Sequence, residues 1–436
     1  MSGQELNWHL RRVELHRGDD EDFATRLKIT AKRALDNHEE GVKAFAKHMV
    51  RWIADERNLN LAFEHLQTHG GASPGPDGLT FDAIETVPQK FQFLRGLRDD
   101  ILEQVYIAGP TRKVQISKRS GNGHRTLMVQ DIGDRIVHRG IMQVMRAILD
   151  PQFDNRSFGF RPRRNRCQAL ALVERLTLTE HRKVWVTEDI RDAFPNVPIT
   201  PLLEIVRRYL PAKNLVQLIR KAIDTGAKRG LGQGSPLSPL LLNLYLHHHL
   251  DRRWRRKFPS IPLIRVADDL LLLCRTADEG IEARSELAAI LTPAGMPLKG
   301  TAEDSVRSLA RGQKAEWLGY ACGYRKKRLV IELAEQAVDS LIDTLDDAAW
   351  EPNAGILADQ IVRGWLEQAG PAYRIAYADT VCDRIASTLQ DLDLSDVRIK
   401  RPNGKKVRLT DGRWMRRHWK HAHDEWRNRK STPASV

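Results

Sequence analysis

Two adjacent aspartates, Asp268 and Asp269, interrupt an apolar run, LIRVADDLLLLCR. A carboxylate held away from water is costly, and a second one beside it adds repulsion. A hairpin tip that holds a divalent metal neutralises both; a solvated surface turn is the plain alternative. A third carboxylate, Asp189, stands upstream at the end of KVWVTEDIRDAF. A β-branched and aromatic strand ending in that group can carry it opposite the other two. Three such acids can hold two metal ions about 3.5–4 Å apart, an arrangement used for in-line phosphoryl displacement. Oxygen ligands and a phosphate substrate select magnesium, and manganese is also suited.

Other residues have types that would serve such a centre. Phe194, five residues after Asp189, is either a ring packed beneath a sugar, excluding a 2′-hydroxyl, or an ordinary core phenylalanine. In GLGQGSPLSPLLLNLYL, Gly230, Gly232 and Gly234 permit close backbone approach and Gln233 offers an amide. That loop supports a templating base or simply enters a helix. Lys118 and Arg125 flank the turn SGNG. Two cations on a hairpin either grip a triphosphate or lie solvated.

These groups need scaffolding, and the patterning supplies it. ATRLKITAKRAL and KAFAKHMVRWIADE repeat apolar residues at helical spacing. HGGASPGPDG is a turn cluster, and TRKVQISKRSGNGHRTLMVQ alternates about a glycine turn as a hairpin does. DRIVHRGIMQVMRAIL and PLSPLLLNLYLHHHLDRRW predict helices, the second largely buried. KVWVTEDI predicts a strand, and residues 262–274 a two-stranded hairpin. A helix is expected near 277–293, WLGYACGY and KRLVIEL pair as strands, and the pattern turns helical after about residue 332. Interleaved helices and short strands make the fold class α+β, without two simple independent domains.

At 436 residues, 41% hydrophobic and 29% charged, the composition is that of a globular chain with a large core. No apolar stretch is long enough for a membrane span, and the first twenty residues lack a secretory core. Four scattered cysteines, Cys167, Cys274, Cys322 and Cys382, form no CxxC pair and suit a reducing cytosol. A cytoplasmic location is therefore expected. The net charge of +14 points to a polyanion, either nucleic acid or a membrane surface. Between Arg398 and Lys430 thirteen Lys or Arg face three Asp or Glu, with Trp414, Trp419 and Trp426 interleaved. Cations for phosphates and rings for bases make Arg413, Trp414, Arg416, Arg417 and Trp419 candidate nucleic-acid contacts. A solubilising tail is the alternative.

In series, these segments resemble a reverse transcriptase of the bacterial, group II intron-like kind. SPGPDG, ending in Asp77 and Gly78, resembles the opening motif. ISKRSGNGHRTL and the long stretch from DRIVHRG to SFGFRPRRNRCQAL resemble the fingers motifs. DIRDAFPNV, GLGQGSPLSPLLLNLYL and VADD resemble palm motifs A, B and C. WLGY at 317–320 resembles the last palm motif, and IVRGWLEQAGPAY part of a thumb. The likeness covers roughly residues 60–385 in the expected order.

The resemblance implies a right-hand polymerase. Its parts would be a helical N-terminal region (1–65), fingers with the start of the palm (66–185), palm (186–332), helical thumb (333–393) and basic aromatic tail (394–436). Asp189, Asp268 and Asp269 would be the catalytic metal-binding acids and Phe194 the sugar gate. Lys118 and Arg125 would meet the incoming triphosphate, and Gln233 would lie near template and nucleotide. Arg161 and Gly234 join the expected nucleic-acid contacts. The implied partners are a structured noncoding RNA template, dNTPs and the cDNA product, with no membrane; a homo-oligomer is compatible.

Three departures stand out. Val266 replaces the usual tyrosine before ADD, and Ala302 and Glu303 fall where a lysine and threonine are usual, leaving Lys299 early. Nothing after the thumb resembles a cysteine-bearing endonuclease module. A stand-alone enzyme of antiphage defence is the favoured setting. An RNA-binding intron maturase or chaperone, with no need of the acids, is the competing reading.

Overall fold

The computed structural model describes residues 3–71, 73–117, 124–350, 353–400 and 406–431. Its centre is a four-stranded antiparallel sheet. The strands are β3 (Val184–Asp189), β4 (Leu263–Val266), β5 (Asp269–Cys274) and β6 (Val306–Ser308), in spatial order β4-β5-β3-β6. Before it in the chain comes a hairpin of β1 (Arg112–Ser117) and β2 (His124–Val129), and after it a three-stranded sheet of β7 (Ala315–Trp317), β8 (Tyr320–Arg325) and β9 (Arg328–Leu333). All three expectations of paired strands are met.

Because side chains alternate along a strand, the central sheet has two distinct apolar faces. Val184, Val186, Leu270, Leu272 and Cys274 join a large core with helices Ile132–Leu149, Ser238–Leu246 and Ala277–Leu291. The N-terminal helices Gly3–Asp36, His38–Ile53 and Glu56–His69 enter this same core through Phe23, Phe45, Met49 and Leu59. Trp185, Leu271, Leu273 and Ile264 face the other way, against helix Arg166–Thr179, Trp317 and Tyr320. That helix starts at a reciprocal capping box between Asn165 and Gln168. The strand apolar on both faces thus reads LLLLC without alternation.

A third core gathers helices Gln336–Ala349, Ala354–Gln368, Ile375–Asp391 and Gly412–Ser431 with the small hairpin of β10 (Arg398–Lys400) and β11 (Lys406–Arg408). The expected open aromatic tail is corrected here. Trp414, Trp419 and Trp426 are 6%, 0% and 7% exposed, and the Trp419 indole donates to Ala369 O at 2.8 Å. Trp426 donates to Cys167 O, tying the last helix to helix Arg166–Thr179. The tryptophans recur at helical spacing and bury the inner stripe of an amphipathic helix, leaving its arginines outside. Trp414 and Trp419 are core residues.

The long buried helix expected from PLSPLLLNLYLHHHLDRRW is interrupted by a π turn, His247–Asp251, before continuing as Arg252–Lys257. No helix among the described residues is long and apolar enough to cross a membrane.

Candidate active site

The register of the central sheet brings the chain positions of the three acids to one end of the sheet. Asp189, the last residue of β3, pairs directly with Asp269, the first residue of β5. Asp189 and Asp269 lie on the face shared with Trp185 and Leu271, four and two residues away along their strands. β4 and β5 are joined by a two-residue turn, Ala267 and Asp268, and the Ile190 N–H donates to Asp268 O at 3.2 Å. Ala267 adopts φ 60°, the left-handed value that some two-residue hairpin loops need at their first position. A residue with a Cβ pays roughly 1–2 kcal/mol for that conformation.

The surroundings hold this strained turn in place. Arg265, 1% exposed, donates from Nη1 to Ala267 O at 3.0 Å and to Asn243 Oδ1 at 2.8 Å. Its Nε and Nη2 grip both oxygens of buried Asp251 at 3.0 and 2.7 Å. Asn243 in turn donates to Gly159 O at 2.8 Å. Gly159 lies against the turn so closely that a Cβ there would stand 2.7 Å from Ala267 Cα. The flanking segment runs beside β4, with Phe158 N donating to Arg265 O and Arg265 N to Arg156 O. On the other face, fully buried Glu188 pairs with Arg284 at 2.8 Å and accepts from Ser305 Oγ. Sequence reading missed Arg265, Asp251, Asn243, Gly159 and Glu188. The signals were an arginine inside LIRVADD and an aspartate inside an otherwise apolar helix.

Burial, then the charges of Asp268 and Asp189, push the Asp269 carboxyl up to about 7. Asp189 is also raised, by burial and then by Asp268, against an opposing pull from Lys299. The Lys299 ammonium stands 3.6 Å from Asp189 Oδ2, and its backbone N–H donates to Asp189 O at 2.9 Å. The cluster therefore carries more negative charge than its surroundings compensate, with hard oxygen donors only. Both features fit divalent magnesium or manganese. Among the described residues no three His, Cys, Asp or Glu side chains are already drawn together closely enough to hold an ion. Binding would require these carboxylates to turn toward a shared cation.

The remaining candidates divide. Phe194 lies in a helical turn, Ala193–Asn196, entered through Asp192 at φ 46°. Its half-buried ring meets Phe160 edge-on at 6.0 Å, and its carbonyl accepts from Leu231 N, joining it to the glycine loop. It touches the core as well, so both readings of this ring keep support. Gln233 O accepts from Met128 N at 2.7 Å, docking the loop on β2. Gly234, at φ 108°, passes so near Met128 O that a Cβ would stand 3.2 Å away. Lys118 lies outside the described residues. Arg125 belongs to β2, and its side chain lies outside the description.

Arg161 is corrected. Its side chain is 3% exposed and spends its donors on Asp150 Oδ1, Asp150 O, Asp154 O and Ser157 O, so it staples the SFGF loop from inside. Of the C-terminal arginines, Arg413 and Arg417 are exposed, while Arg416 pairs with Asp379 at 2.8 Å.

Residues 116–320 match the family model described as reverse transcriptase (RNA-dependent DNA polymerase). Protein YkfC of Escherichia coli (strain K12) is 30% identical over 285 residues, 55% of this chain and 72% of that protein. The group II intron-encoded protein LtrA of Lactococcus lactis is 24% identical over 230 residues, 51% of this chain but 37% of its own length. Among solved structures, a partial Cas6-RT-Cas1–Cas2 complex aligns over 56% of this chain and 41% of that one, 19% identical, with a TM-score of 0.33. That score is too low to argue from.

Proposed function

Since the chain belongs to the reverse transcriptases, RNA-directed DNA polymerases of the group II intron-like kind, we propose that it extends a primer with dNTPs on a structured noncoding RNA. The observation that carries this reading is the register pair of Asp189 and Asp269 beside Asp268, with excess negative charge at their meeting point. Two magnesium ions held there would activate the attacking 3′-hydroxyl and steady the leaving pyrophosphate. The protein's own part is positioning. Arg265 and Gly159 fix the Ala267 turn, and with it the reach of Asp268. Repulsion among the three acids keeps the cluster receptive to a cation.

Phe194 is proposed to lie beneath the nucleotide sugar and reject a 2′-hydroxyl. Gln233, on the loop docked against β2, faces template and nucleotide in this reading. Lys118 and Arg125 grip the triphosphate from the β1–β2 hairpin. Gly234 lets the template approach the backbone, and Arg413 and Arg417 contact phosphates from the last helix.

The test is magnesium-dependent primer extension on an RNA template by the wild-type protein and the Asp268→Ala variant. Product from the wild type alone supports the reading. Equal product from both, or from neither, sinks it. The setting in antiphage defence rests on analogy with stand-alone family members. Equal plaque numbers with and without intact acids, across a broad phage panel, would remove it. Intron splicing rescued by the Asp268→Ala variant would favour the maturase reading instead.

A further inference from the structure

We infer that a second cleft, separate from the acid cluster, binds a single RNA strand other than the paired template. The cavity measures about 2020 Å³, roughly twice the upper end of small-molecule pockets. It runs between the SFGF loop, helix Arg166–Thr179, the segment after the π turn, and the last helix. None of the three acids lines it, yet Phe160 and Val266 do. One end therefore opens beside β4, which leads into the turn that presents Asp268.

The walls carry two kinds of group. Arg156, Arg163, Arg175, Arg255 and Arg417 line the cavity. The side chains of Arg156, Arg163 and Arg175 have no partner among the described residues. Arg255 reaches Asp154 at 3.5 Å while remaining 68% exposed. Of the acids on the same walls, Asp150 pairs with Arg161, Asp251 with Arg265 and Asp154 with Arg255, while Glu367 and Glu425 stand 3.4 Å from His418 and His421 and Glu174 is half-buried. Arginines still outnumber acids along the cavity. Aromatic surface lies among the cations. Phe160 is 54% exposed, an unusual amount for a phenylalanine, and Phe258 is half-buried.

Spaced guanidinium groups with interleaved ring faces are how single strands are held without base pairing. A duplex hides its bases and would leave the rings unused. An acidic peptide would use the arginines but gain nothing specific from the rings. The choice of RNA over DNA rests on the polymerase reading above.

The test uses the full chain and fluorescein-labelled oligo(U), with binding followed by anisotropy across a salt series. The variant combines Arg163→Glu, Arg175→Glu and Arg255→Glu, all at exposed side chains, and thermal unfolding verifies its fold. Affinity should fall at least ten-fold, and the log–log salt slope should flatten by about two, from roughly 0.7 per lost phosphate contact. With 4-thiouridine in the oligomer, crosslinks should map to peptides containing Phe160 or Phe258. Unchanged affinity and slope overturn the inference. So does an equal loss in the binding of polyglutamate, which would make the cleft a general anion trap. Wild-type extension of a short pre-annealed primer–template is measured in parallel. Its failure would strike the polymerase reading, whereas extension with unaltered oligo(U) binding would strike only the cleft.

Discussion

Replacing Gly159 by alanine probes the link between the SFGF loop and the Ala267–Asp268 turn. The new Cβ would stand 2.7 Å from Ala267 Cα and nearer still to its nitrogen. Both are backbone atoms, so no side chain can swing aside. Ordinary contact returns only if the turn retreats by roughly 1 Å, and Ala267 is already at φ 60° with its carbonyl held by Arg265. Overpacking of this kind costs about 1–3 kcal/mol of stability. The rate should suffer more, because about 1 Å of misplacement in a reacting constellation costs on the order of a hundred-fold. The assay is single-turnover extension at saturating dNTP, alongside thermal unfolding. Gly96→Ala, in the helix Val87–Leu102 where an added Cβ meets nothing within 4 Å, is the control; it should leave the rate alone and gain up to about 1 kcal/mol. A folded Gly159→Ala protein turning over at the wild-type rate would refute the claim that Gly159 positions Asp268.

Three further outcomes are expected. Asp269, raised to about 7, binds a proton in the folded state that the unfolded chain releases near pH 4. Its contribution therefore makes the metal-free protein less stable as pH rises from about 4 to about 7, and magnesium should reverse this at pH 8. Thermal unfolding of the wild type and the Asp269→Asn variant checks it, and the variant should show a shallower pH trend, with Asp189 keeping its share. Trp419→Ala should destabilise by about 3–5 kcal/mol in denaturant unfolding, since the ring is fully buried and its N–H is bonded; a change under about 0.5 kcal/mol would restore the open tail. Phe194→Ala should narrow the preference for deoxynucleotides over ribonucleotides, read from parallel single-nucleotide incorporation. An unchanged ratio would return Phe194 to the core.

The three candidate acids were legible because chemistry forces such groups into local signatures. A carboxylate pair inside VADDLLLL and a third at the end of VWVTED have few cheap explanations, and strand periodicity put the hairpin and β3 where they are found. Their order along the chain, with the motifs between them, identified the family. The paired strands and several flanking helices followed from the same patterning, whereas β6 and the β10–β11 hairpin did not.

What holds the acids in place was not legible, because it depends on partners far apart in sequence. Arg265 reads as a stray charge until Asp251 and Asn243 close around it, and Gly159 reads as an ordinary turn glycine until Ala267 is packed against it. The same blindness misread Arg161, Trp414 and Trp419. Composition treats an arginine as a phosphate ligand and a tryptophan among cations as a stacking platform. Only packing decides whether the donors are already spent, as on Asp150 and Ser157, or whether the ring is already covered, as under Ala369. Residue type and spacing determine which groups can do chemistry. Which of them still have free surface to do it with is settled when the chain closes on itself, because burial and hydrogen bonding consume side chains without regard to their distance in sequence.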